Sequence, residues 1–276
     1  TGLVAWFPFD GNANDASGNG NHGTVHGATL GTDRHGRTGK AFSFDGVDDY
    51  ILAQRKDSLF PSTYSASFWI KPNGTPAPNA IGAGQGDALT GKLNVLSTKE
   101  SGGYAFGINI KNIWGDKLTV RSMIGGGYAN VSSSSAVLPN KWEHFAYTFN
   151  GTTAKLYRKG VADHSIPTIG SLTPSASDLF IGAESDDPNP REFFNGSIDE
   201  VRIYDRALSA TEVSGLYVLE NTPPGQNNNP NPPGNENPNP TDEGNTGSSD
   251  PYPPVATQVY RPIVRTEPIR QSTDGQ

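Results

Sequence analysis

The sequence predicts an all-β fold, a two-sheet sandwich with one short C-terminal helix, followed by an extended Pro/Asn-rich tail. Three observations predict it. Gly (33) and Pro (22) are abundant and apolar residues make up only 33% of 276 positions, the balance of many short strands, many turns and some unfolded chain. Tyr64-Ser-Ala-Ser-Phe-Trp-Ile-Lys71 alternates Tyr64, Ala66, Phe68 and Ile70 against Ser65, Ser67, Trp69 and Lys71, so one face is apolar and the other mixed, as in a sandwich strand. Trp142–Phe149 and Ala154–Arg158 are two alternating runs around Asn150-Gly151, a pair that adopts positive φ cheaply and so predicts strand, turn, strand.

In chain order, Leu3–Phe9 is a first strand that Pro8 confines to an edge or a non-donating position. Asp10–Gly23 is almost wholly Gly, Asn, Asp and Ser and reads as a loop. Thr24–Thr29 is a short strand, and Lys40–Asp45 and Tyr50–Leu52 form a hairpin about Gly46. Pro72–Gly91 is too long for a turn. Strands follow at Leu93–Thr98, Tyr104–Ile110 and Lys117–Met123, with Trp114 at the turn between the last two. Leu179–Gly182 adds another strand, and the acidic loop Glu184–Arg191 leads into a long strand over Glu192–Asp205. Ser209-Ala-Thr-Glu212 has the capping-box pattern of a helix ending near Tyr217.

Residues 1–220 thus make one domain. Residues 221–254 hold ten of the 22 prolines and almost no apolar side chains, and cannot bury enough surface to offset the entropy of ordering. Residues 255–276 regain Val259, Ile263, Val264 and Ile269 between prolines, which suits the stub of a further domain or a strand that adds to a sheet edge.

The long strand carries an anomaly. Counted by twos, Asp199 shares a face with Val201 and Ile203, where an unpaired carboxylate would be costly; backbone donors, an arginine or a metal must meet it. Phe194 and Ile198 have the opposite parity, which a bulge between Ile198 and Val201, or burial on both faces, reconciles.

Composition excludes several functions. A net charge of −7 with no basic stripe argues against nucleic-acid binding. No apolar run approaches the roughly 18–20 residues of a membrane helix. The absence of cysteine removes disulfides and thiolate metal sites. His22 and His26 lack a third nearby nitrogen or sulfur ligand, and His144 reads as a hydrogen-bonded sheet histidine.

Gly2-Leu-Val-Ala-Trp6, Phe9-Asp10-Gly11, Asp15-x-Ser17-Gly18-Asn19-Gly20, Gly39-x-Ala41-x-x-Phe44-Asp45-Gly46-x-Asp48-Asp49-Tyr50 and Phe194-x-Gly196-x-Ile198-Asp199-Glu200-Val201-Arg202-Ile203-Tyr204-Asp205-Arg206-Ala207-Leu208-Ser209 form one pattern. It resembles the laminin-G-like jelly-roll family of the concanavalin A-like lectin/glucanase superfamily, over about residues 2–218. The resemblance implies an antiparallel jelly-roll sandwich whose first and last strands lie together. It also implies a secreted or cell-surface module that binds glycans or a surface protein, often with a structural calcium.

Calcium takes about six to eight oxygen ligands. Asp10, Asn12, Asp15 and Asn21 supply oxygens close in sequence, and the terminal pairing implied by the resemblance would bring Asp199 to them; Asx-turn hydrogen bonds, with backbone donors for Asp199, are the alternative. Trp114, Asp186, Asp187 and Arg191 are the expected ligand-binding rim, an aromatic with polar groups on loops. Catalysis is not expected, because the Glu-x-Asp-x-x-Glu spacing of the superfamily's glucanases is missing and Asp199 and Glu200 alternate across the strand. The expectation is a non-catalytic extracellular recognition module. The alternative is a structural subunit of a filament or surface assembly, in which Val255–Arg270 pairs with a neighbouring copy.

Overall fold

The computed structural model describes residues 2–73, 93–98, 106–111, 117–186 and 189–225. All of them lie in the compact unit Thr1–Glu236; a second unit, Asn237–Gln276, lies outside the described residues, as does the expected tail strand and most of the expected linker.

The first part of the chain forms β1 (Leu3–Phe7), β2 (Gly23–His26), β3 (Thr29–Thr32), β4 (Thr38–Asp45), β5 (Tyr50–Ala53) and β6 (Tyr64–Pro72). The middle forms β7 (Leu93–Ser97), β8 (Phe106–Lys111), β9 (Lys117–Ile124), β10 (Gly127–Ser132), β11 (Glu143–Phe149), β12 (Thr153–Arg158) and β13 (Val161–Pro167). Then come β14 (Leu179–Ile181), β15 (Glu184–Asp186), β16 (Asn189–Arg191), β17 (Asn195–Tyr204) and the helix α1 (Ala210–Asn221). An eight-stranded sheet runs β13-β12-β11-β6-β17-β4-β3, with β1 also on β17; a seven-stranded sheet runs β10-β9-β8-β7-β14-β5-β2. The pairings are antiparallel, and β1 does lie on β17, so the first and last strands meet.

Between the sheets Phe7, Phe44, Phe68, Phe145 and Phe149 face Ile51, Val95, Ile108, Val120 and Ile181 in one buried cluster. The Tyr64 hydroxyl reaches Ser122 Oγ at 2.7 Å across this core, and Ser122 donates to the Tyr147 hydroxyl. The apolar stripe of β6 supplies Tyr64, Ala66, Phe68 and Ile70 to it. The other face of β6 is also covered: Ala146, Tyr157, Tyr204, Leu208, Val213 and Leu216 form a second cluster where α1 packs on the outside of the larger sheet.

Several local expectations change. The residues about Gly46 join no hairpin, because β4 pairs in the larger sheet and β5 in the smaller; Asp49 Oδ2 accepts from the Asp45 amide and closes a corner between layers. Thr24–Thr29 divides into β2 and β3, again one in each sheet. The Glu184–Arg191 loop is itself a small hairpin of β15 and β16. The capping box of Ser209 and Glu212 is present, and α1 runs one turn past Tyr217, ending at Asn221 before Thr222, extended as residues preceding proline are.

On β17, Asp199 pairs with Trp69 and Arg202 with Ser67, three steps against two, and Glu200 has φ of 52°. This is the bulge, and it corrects the parity count. Ile198, Val201 and Ile203 all face the core, whereas Asp199 turns to the outer face beneath α1 and the 33–37 loop. Upstream, Gly196 has φ of 148°, and a Cβ there would lie 2.4 Å from the Lys71 carbonyl oxygen. Gly196→Ala is therefore expected to destabilise the fold by about 1–3 kcal/mol, read as a lower urea midpoint at unchanged m.

Candidate functional site

The bulge, the 33–37 loop and the last turn of α1 converge on one polar cluster. Asp33 accepts from the amides of His35 (2.9 Å) and Arg37 (2.8 Å) and from Arg37 Nε (2.6 Å), a tight loop that directs Arg34 inward. Arg34 Nη1 donates to Asp199 at 2.6 Å and its Nε to the Glu220 carbonyl at 2.6 Å, while its guanidinium lies 4.9 Å from the Trp69 ring centroid. Trp69 stacks on Tyr217 at 5.7 Å and donates to Glu220 Oε2 at 2.6 Å. Glu220 also pairs with Arg202. Arg202 reaches Glu200 Oε2 at 3.0 Å and lies 4.6 Å from the Trp6 ring, whose Nε1 donates to the same oxygen at 2.8 Å. Behind the cluster His144 Nε2 meets Ser67 Oγ at 2.9 Å, as expected of a sheet histidine.

Burial sets the proton affinities. It pushes the Asp199 carboxyl up to about 8, helped by the neighbouring negative charge of Glu200 and opposed by Arg34. Burial likewise lowers Arg34, with Asp199 opposing. His144, fully buried near Arg202 and Arg34, is lowered to about 3 and is neutral.

A cavity of about 310 Å³ opens beside this cluster. Trp6, Arg34, Glu200 and Arg202 give it polar and aromatic walls, and Leu216 and Leu219 of α1 give it an apolar one. That combination suits a small organic ligand carrying hydrogen-bonding groups.

The expected calcium ligands are placed differently. Asp15 is buried and, against that burial, its carboxyl is lowered by donors: Oδ1 accepts from the Trp6 and Ser17 amides and Oδ2 from the Asn21 amide. Asn12 accepts from the Asn14 amide, Asn21 donates to the Val4 carbonyl, and Asp10 pairs with Lys40 at 3.3 Å. Asp199 has a guanidinium where the metal was expected. Hydrogen bonds and cations engage oxygens of Asp10, Asn12, Asp15 and Asp199, and Asn21 Oδ1 is buried without a hydrogen-bond partner, so one free oxygen is left where calcium needs about six to eight and the five do not fit a calcium site. His22 accepts from the Asp15 amide and His26 stacks on Tyr50, so neither belongs to a histidine pair. Of the expected rim, Trp114 and Asp187 lie outside the described residues. Asp186 pairs with Asn189 across the small hairpin, and Arg191 is half-buried opposite Glu184. No local sequence signal marks the pocket residues Trp6, Arg34, Glu200, Arg202 and Glu220 as a site; the bulge parity is the one signal that points to this face.

A jelly roll of this kind, with a pocket beside its helix, defines a lectin-like domain. The chain belongs to the concanavalin A-like lectin/glucanases superfamily, in its laminin G-like family, whose profile matches residues 45–214. The Sushi, von Willebrand factor type A, EGF and pentraxin domain-containing protein 1 of Rattus norvegicus is 24% identical over 190 residues, 63% of this chain but 5% of that protein. Among solved structures, the binding domain of Paraclostridial Mosquitocidal Protein 1 is similar with TM-score 0.60 and 20% identity, over 79% of this chain and 52% of that one. Domain 4 of AbnA, an extracellular arabinanase from Geobacillus stearothermophilus, in complex with arabinotriose, gives TM-score 0.54 and 22% identity over 78% and 98%. The botulinum neurotoxin serotype G binding domain gives 0.56 and 17% over 80% and 51%. The chain thus spans about half the length of the two toxin domains. At these identities the likeness is one of fold.

Two outcomes are expected. Asp199, at about 8 folded against 3.8 ordinarily, adds stability below about pH 4 that is lost as pH rises towards 8. His144, at about 3 against 6.5, costs stability as pH falls from 6.5 towards 3. The two oppose each other between, so His144→Gln should make the unfolding free energy rise on acidification from pH 8 to 4 and Asp199→Asn should make it fall from pH 6.5 to 3. Each slope, measured by urea unfolding at stepped pH, is at most about 1.4 kcal/mol per pH unit.

Proposed function

We propose that this domain is a non-catalytic, extracellular recognition module that holds a saccharide in the pocket between Trp6, Glu200, Arg202 and α1. The observation that carries the reading is the convergence there of an apolar helix face with buried, oriented hydrogen-bonding groups. Further support comes from the state of the carboxylates. Glu220 is buried and tied to Trp69 and Arg202, and Glu200 holds Trp6 and Arg202 through one oxygen, hydrogen-bonded carboxylates of the kind that position a polar ligand. The structure of one domain of the same fold is of its complex with arabinotriose, and others are the binding domains of toxins, which makes carbohydrate or receptor binding a natural use of the scaffold. An extracellular setting is in keeping with the laminin G-like family, and among the described residues no helix is long and apolar enough to cross a membrane.

The test is a glycan array probed with the full chain and with Leu219→Trp, which fills the pocket from a half-buried helix position. Capture by the unaltered protein and at least a tenfold loss in the variant is the expected result. No capture, or capture indifferent to the substitution, sinks the reading.

A further inference from the structure

Each guanidinium at the pocket already faces an acidic side chain: Arg34 meets Asp199 at 2.6 Å, Arg37 meets Asp33 at 2.6 Å, and Arg202 meets Glu200 at 3.0 Å and also Glu220. The remaining acid at the rim, Asp10, faces Lys40 at 3.3 Å. An anionic ligand would have to break one of these pairs to find a cation, and a cationic one would approach three guanidinium groups. With Asp199 protonated near neutral pH, Arg34, Arg37, Arg202 and Lys40 stand against Asp33, Glu200, Glu220 and Asp10, and that four-to-four balance selects a neutral ligand.

Within that balanced wall two polar atoms are left over. Glu200 Oε2 accepts from both Trp6 and Arg202, while Oε1 accepts no hydrogen bond from a described residue. Arg34 uses Nη1 and Nε, while Nη2 lies 3.9 Å from Glu200 Oε1, too far for a hydrogen bond between them. The Arg34 side chain is more than nine-tenths buried and held by Asp199 and the Glu220 carbonyl, so Nη2 is fixed at the pocket wall. A donor and an acceptor side by side, neither hydrogen-bonded to a described residue, match one group that both accepts and donates: a hydroxyl.

Resting on the saccharide reading above, we infer that the pocket selects a neutral sugar, one of whose hydroxyls bridges Arg34 Nη2 and Glu200 Oε1 while its C–H face lies on Leu216 and Leu219. Glu200 fixes specificity because it is the acceptor, and the bulge that gives it φ of 52° aims it. The oxygens of Glu200 divide the work: one anchors the side chain and the other reads the ligand.

The array is read by glycan class, and the leading neutral glycan is then titrated calorimetrically. Neutral glycans should lead, and Glu200→Gln, which keeps an oxygen for Trp6, should weaken binding tenfold or more. The same glycan with single hydroxyls O-methylated, titrated against the unaltered protein, should contain one derivative weakened at least tenfold, a result independent of any effect of substitution on folding. If uronate- or sialate-bearing glycans lead and Leu219→Trp abolishes their capture, this inference is wrong and the saccharide reading stands. If all O-methyl derivatives bind within twofold, the bridging hydroxyl is excluded. If Leu219→Trp changes nothing, or nothing is captured, both fall together.

Discussion

Arg34 meets Asp199 across 2.6 Å with both side chains more than nine-tenths buried, and the outer face of the larger sheet is arranged around that contact. The pair exists because β17 holds one residue more than β6 beside it. Without the extra residue Asp199 would point between the sheets, among phenylalanines, with no cation in reach. With it, the aliphatic positions on both sides of the bulge stay in the core and the carboxylate leaves it. The loop between β3 and β4 then needs to do one thing, which is to bring a guanidinium over the strand, and the Asp33 turn does so.

Such a buried pair is not itself a large source of stability, since taking a guanidinium and a carboxyl group out of water offsets most of their attraction. Adhesion of α1 comes from Leu208, Val213 and Leu216, each worth about 1.5–3 kcal/mol when fully buried. What the polar cluster adds is position. The Glu220 backbone carbonyl and side chain take bonds from Arg34, Trp69 and Arg202, three residues on three different elements, so the last turn of the helix has one place to sit. The pocket is the space left between that fixed turn and β1, and it inherits its geometry from the same contacts.

Much of this was legible beforehand where the signal was local. The alternation of β6, the turn at Asn150-Gly151 and the capping box at Ser209 each depend on neighbours within a few residues, and each appears as read. The need for a partner at Asp199 was legible too, from the cost of a lone buried charge. Which partner it would be was not, because Arg34 lies 165 residues away and nothing in its surroundings marks it as inward-facing. Polar edge strands escaped for the same reason: β13 is largely exposed, so no apolar rhythm announces it. The false hairpin at Gly46 came from two sound strands whose sheet membership depends on long-range pairing rather than on the turn between them.

The contact of Tyr64, Ser122 and Tyr147 has a mechanical meaning. Two sheets with only aliphatic and aromatic groups between them can creep along one another, exchanging one greasy neighbour for the next. Sliding by a single strand residue, about 3.3 Å, would part these three hydroxyls and strand them in a dry interior. The sandwich is thereby keyed at one point, and shear between its layers is resisted there by hydroxyl contacts rather than by fit alone.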